Sequence, residues 1–153
     1  MLCESRSTRQ HRGDSIAPIF YTVENEEGSQ NMKVSEAIQQ VKMEKPNGYS
    51  DTYCTVFLNE IEAIIQEFLG VPRKDWVEYR WEDSQQQDLI VPEPYSQIYI
   101  SYLKAKIDYA QEEYESYGNN QAIYEDDMKN FKAWAIREGK IQRELPRAIK
   151  NWW

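Results

Sequence analysis

Carboxylate pairs are the first groups in this chain whose spacing could do chemistry. Glu60 with Glu62, and Glu78 with Glu82, are close enough in sequence to suggest an acid and a base flanking a glycosidic bond. The run Glu112, Glu113, Glu115 supplies three oxygen donors toward a metal, but no Glu-x-x-His spacing of the di-iron kind completes it. Nucleophile chemistry is poorer still. The single histidine, His11, lies in a polar N-terminal stretch, so Ser/His and Cys/His arrangements have no base. Cys3 and Cys54 are far apart, and neither has a second cysteine at metal-ligand spacing. No glycine-rich phosphate loop is present. With 26 acids in 153 residues, close carboxylate pairs arise by chance. The expectation is a non-enzyme that holds no metal or cofactor.

The tyrosines point elsewhere. Residues 94–137 contain seven of the eleven tyrosines. At about 100° per residue, Tyr95, Tyr99, Tyr102, Tyr109 and Tyr117 fall on one narrow helical stripe, with Leu103, Ile107 and Ala110 beside it and Ile98 at its other edge. That arc covers roughly half the helix, whereas one core needs a stripe nearer 100°. Leaving half of five tyrosine rings exposed would show water roughly 500 Å², above the patch size of about 400 Å² at which an interface is suspected. Two readings follow: a subunit interface, or the core of a small helical domain with hydroxyls at its rim.

Charge divides the same region. Residues 108–127 hold seven acids, among them Asp108, Glu112, Glu115 and Asp126, and no Lys or Arg. Residues 137–150 reverse the sign with Arg137, Lys140, Arg143, Arg147 and Lys150 against two acids, and the chain ends at Trp152 and Trp153. An acidic hairpin and a basic, Trp-ended tail are expected to meet different surfaces, or each other between subunits. The net charge of -8 argues against a general nucleic-acid binder. No run of about 18 apolar residues is present, and the N-terminus lacks the basic-then-apolar pattern of a signal peptide. A soluble protein of a reducing compartment, without a membrane partner, is expected.

The elements that must position these residues are mainly helical. Val34, Ala37, Ile38 and Val41 mark a short amphipathic helix, with Ser35 as its expected N-cap and Pro46, Asn47 and Gly48 as its stop. Ser50 caps a second helix in which Tyr53, Phe57, Ile61, Ile64, Ile65 and Phe68 recur at three- and four-residue steps up to Gly70; Cys54 and Leu58 lie on its margin, Cys54 as a buried small side chain. Val77, Tyr79 and Trp81 alternate with charged residues, and Leu89, Ile90 and Val91 follow a polar turn. This predicts a short β hairpin or extended pair between helices 2 and 3, closed by Pro92 and Pro94. A long C-terminal helical hairpin then turns at Gly118, Asn119 and Asn120, and its return helix faces Tyr124, Met128, Phe131, Trp134 and Ala135 inward.

Residues 1–31 read as a non-native or disordered extension, residues 32–138 as the helical domain, and residues 139–153 as a docking tail. The codons for Glu26, Glu27 and Gly28 can spell a purine-rich ribosome-binding site, with Ser29, Gln30 and Asn31 as the spacer before an ATG. Met32 is therefore the expected natural start.

The order of parts resembles the small head-tail connector proteins of tailed bacteriophages and prophages. The likeness spans residues 32–137 and rests on VSEAI followed by PNGYS, on LNEIEAII, and on LIVPEPYSQIYISYLKAKIDYAQEEYESY leading into an asparagine-containing turn. It departs at residues 54–58, where a tryptophan commonly precedes the leucine and Phe57 stands instead. The resemblance implies a mainly helical adaptor made in the bacterial host cytoplasm and placed in the neck of the virion. There it would form a homo-oligomeric ring, usually of about twelve copies, on the portal protein. The ring would extend the DNA channel and receive the next neck or tail completion protein, with genome DNA passing through without sequence-specific binding. Within that scheme the tyrosine stripe is the candidate subunit interface. The acids Asp108, Glu112, Glu115 and Asp126 form the candidate channel face, and Arg143, Arg147, Lys150, Trp152 and Trp153 dock on portal or neighbour. The alternative is a small acidic helical regulator or inhibitor acting through protein-protein binding.

Overall fold

Ser50 starts the central helix as its sequence requires. Its hydroxyl accepts the Tyr53 N–H at 3.2 Å, Asp51 sits in the first turn near the positive helix end, and the helix runs as α2, Asp51–Leu69, in the computed structural model, which describes residues 31–142. Gly70 closes it with φ 76°, a left-handed cap that costs a residue without Cβ nothing. The core line of α2 is Cys54, Leu58, Ile61, Ile65 and Leu69, all buried. Cys54 is the buried small side chain expected, but the apolar face is rotated from the one read off the sequence. Leu58 stands at its centre, while Tyr53 and Ile64 are exposed on a stripe shared with Val56 and Glu60.

α1, Val34–Glu44, buries Val34, Ala37, Ile38 and Val41 as expected. Its N-cap is Lys33 rather than Ser35. Carbonyls from another segment satisfy its first donors: Val34 N–H bonds Gln87 and Ser35 N–H bonds Gln85, both at 3.0 Å. Ser35 is consequently a buried residue inside the first turn rather than the residue before it.

No β hairpin forms among the described residues; the nearest feature is an isolated antiparallel bridge between Lys33 and Asp88. A short 3-10 turn, Arg73–Asp75, precedes residues 77–79, whose hydrogen bonds go to side chains of α2 instead of a strand. Gln66 Oε1 accepts the Val77 N–H at 2.6 Å and Gln66 Nε2 donates to the Val77 carbonyl at 3.0 Å. Asn59 clasps Tyr79 the same way, at 2.8 and 2.9 Å. Two carboxamides on one helix face thus meet the donors and acceptors a partner strand would have met. Trp81 then opens a one-turn helix, α3, Trp81–Ser84.

The hairpin is α4, Gln97–Ala110, and α5, Tyr114–Arg137. Its turn lies at residues 111–113, where Glu112 takes φ 60°, and not at Gly118, Asn119 and Asn120, which sit inside α5. The reason is Asp108. Its Oδ2 accepts from Ser116 Oγ at 3.0 Å and Asn120 Nδ2 at 2.5 Å, and its carbonyl accepts the Glu113 N–H at 2.9 Å, so the second helix starts earlier than glycine alone would suggest. α5 ends on Gly139, φ 64°, with Lys140 N–H bonded to the Ala135 carbonyl at 2.8 Å. Met128, Phe131 and Ala135 are fully buried along it, with Tyr124 and Trp134 packed at the rim. The architecture is mainly α: a small helical bundle with a long C-terminal hairpin.

Candidate interaction surface

The five tyrosines of the sequence stripe do not share one environment. Tyr99 is 0 % exposed and Tyr102 7 %, Tyr95 and Tyr117 are half-buried, and Tyr109 is 61 % exposed. α4 runs between α1 and α2 on one side and α5 on the other, so rings in its middle are enclosed and rings near the turn are not. Tyr99 Oη accepts the Val91 N–H at 3.0 Å, and Tyr102 Oη donates to Glu60 Oε2 at 3.0 Å; burial pushes both phenols up. Tyr99 and Tyr102 are core residues of the subunit, a correction to their expected interface role.

Near the turn the stripe becomes a surface. The Tyr109 ring lies 6.4 Å from Tyr114 and 5.4 Å from Tyr117, both edge-on, and Tyr114 is exposed. Beneath them Lys45, just past α1, forms an ion pair with Asp108 and a second with Glu113 at 2.5 Å. Burial raises the Asp108 carboxyl, but the Lys45 ammonium with Asn120 and Ser116 outweighs it and holds the group below the ordinary aspartate range. Asp108 is fully buried and belongs to no acidic face. Glu112, Glu115 and Asp126 are exposed, so three of the four expected acids are on the surface.

At the opposite end of the hairpin lies a feature the sequence did not suggest. Tyr95 stacks 5.3 Å from Trp134, both rings against Phe131, beside an open cleft of about 390 Å³ whose rim includes Pro94, Asp127, Asn130 and Arg137. Trp134, expected to face inward, packs against the core but is only half-buried.

Glu62 is the second missed group. It is 0 % exposed in α2, with Oε1 accepting from Tyr79 Oη at 2.8 Å and from the Ile90 N–H at 3.0 Å. Burial drives its carboxyl up to about 7, against the opposing pull of the Ile90 N–H and the Tyr79 and Tyr99 hydroxyls. A signal existed: Glu62 falls on the same wheel sector as Leu58 and Leu69. Sealed from water, it cannot reach a substrate. The carboxylate pairs do not converge either. Glu60 pairs with Lys106 at 2.7 Å on the outside of α2 while Glu62 points inward, and Glu78 and Glu82 are both exposed.

Among the described residues no group of three or more His, Cys, Asp and Glu side chains could hold a metal, and no helix is long and apolar enough to cross a membrane. Burial raises the Cys54 thiol, which suits a packing role. Arg143, Arg147, Lys150, Trp152 and Trp153 lie outside the described residues, as do residues 1–30 with Cys3 and His11. No protein-family model, curated protein or solved structure matches this chain.

Proposed function

We propose that this chain is a structural adaptor that assembles into a ring on a portal protein, in the manner of a phage head-tail connector. The observation that carries the reading is the cluster of exposed Tyr109 and Tyr114 with half-buried Tyr117, at a turn that the Lys45, Asp108 and Asn120 network fixes. Clustered, preorganised aromatics are the residue type that dominates protein interfaces, and they lose little conformational freedom on docking. The polar bonds that place them are inside the subunit, so the cluster arrives already shaped.

Charge supports the same reading. Glu112 and Asp126 would keep a channel wall from adhering to passing phosphates. Portal protein is the first partner, the next neck or tail completion protein the second, and the virion neck the place. The same exposed acids also favour the acidic-regulator reading, in which the hairpin binds a basic partner. Imaging of portal particles incubated with the protein separates the two: an added ring supports the adaptor, and unchanged particles reject it.

A further inference from the structure

The two ends of the hairpin carry unlike, complementary surfaces. At the turn end, three tyrosines stand among Glu112, Glu113 and Glu115. At the base end, the Tyr95 and Trp134 rings stand beside an open cleft with Arg137 on its rim and Lys140 just beyond. The first lies at the start of α5 and the second at its end, and the 24 residues of α5 span about 36 Å at about 1.5 Å each. A rigid helix of that length keeps them apart within one copy.

We propose that the turn end of one copy docks into the base cleft of the next. Tyr114 enters against Tyr95, whose ring is backed by Trp134, and Glu115 faces Arg137. The occupant is a second copy of this chain because it carries both halves of the match: an exposed tyrosine for a cleft lined by the Tyr95 ring and the polar side chains of Gln97 and Asn130, and an exposed carboxylate for Arg137, which outreaches the Asp127 carboxylate on the same rim. Among the described residues the one ion pair of Arg137 is with its sequence neighbour Glu138, at 3.4 Å and with both side chains largely exposed, a weak pairing that a better-placed carboxylate can displace. An interface between unlike patches is heterologous and repeats, giving a ring if the rotation closes and a filament if it does not. The cleft of about 390 Å³ has room for a tyrosine side chain.

This inference rests on the ring reading but stands on its own test. In full-length protein with Cys3→Ser, Asn119→Cys near Tyr114 and Asn130→Cys on the cleft rim are joined by a flexible bis-maleimide; both positions are exposed and Cys54 is buried. The expected result is a dimer when the Asn119→Cys and Asn130→Cys proteins are mixed, none from either alone, and a ladder of higher oligomers from the chain that carries both substitutions. Arg137→Glu or Glu115→Arg should each weaken self-association about tenfold, and their combination should restore it. Products from Asn119→Cys alone would mean a turn-to-turn contact and overturn the proposal, as would no mixed product either free or on portal particles. The ladder without portal binding would reject the connector reading and keep the interface. Portal binding without the mixed product would do the reverse.

Discussion

The Tyr79 hydroxyl donates to Glu62 Oε1 across 2.8 Å, with both side chains buried. Because the Glu62 carboxyl is raised from 4.5 to about 7, the folded state holds a proton there that the unfolded chain has already released. Stability contributed by this site therefore falls as pH rises from about 4.5 to about 7 and is level above that, a total on the order of 3 kcal/mol. Urea titrations at stepped pH should find that Glu62→Gln, which keeps the acceptor and removes the charge, flattens this slope and is at least as stable as the parent at pH 8. A parent and variant with parallel pH profiles would show that Glu62 does not titrate in this window.

Lys45→Met should cost on the order of 3 kcal/mol, because it leaves the buried Asp108 carboxylate without its cation. Asp108→Asn should cost less, since Lys45 retains Glu113 and some contact with water. The double substitution should be milder than the sum of the two. Since the Asp108 carboxyl is held below its ordinary value, the coupling is present above the ordinary aspartate range and disappears as pH falls through the lower folded value. Thermal melts of the four proteins at neutral and acid pH measure it.

Tyr102→Asp and Tyr109→Asp separate core from surface on one helix. The first buries a charge in place of a ring and should lower stability by 3 kcal/mol or about that. The second should stay within about 0.5 kcal/mol of the parent while abolishing self-association. Circular dichroism melts read the first effect and sedimentation the second.

The helices were legible where a cap and a period agreed, as at Ser50, the α2 repeat and Gly70. The β hairpin was misread because alternation along residues 77–81 records only that the segment is extended and half-buried. Whether its backbone pairs with a strand or with Gln66 and Asn59 is settled by tertiary contact. The turn was misplaced for a related reason: Gly118 and Asn120 look like a helix stop until Asp108 takes up the Asn120 amide. The tyrosine stripe holds as a single-helix arc only for Tyr99, Tyr102 and Tyr109, because Tyr95 precedes α4 and the turn at residues 111–113 puts Tyr117 on α5; a wheel also has no axis along the helix, so it does not tell Tyr99 in the middle from Tyr109 near the end.

Gly118 is therefore a helix-interior glycine with open space around the position a Cβ would take. Gly118→Ala should raise stability by about 0.5–1 kcal/mol, read as a higher denaturant midpoint at unchanged slope. A loss of stability would place the turn back at Gly118.

Electron microscopy of purified portal particles, incubated with the full-length protein and then with its Tyr109→Asp variant, tests the adaptor reading most directly. The parent should add one ring of density coaxial with the portal, and the variant, folded to the same extent, should add none. Portal particles unchanged by the parent protein would contradict it.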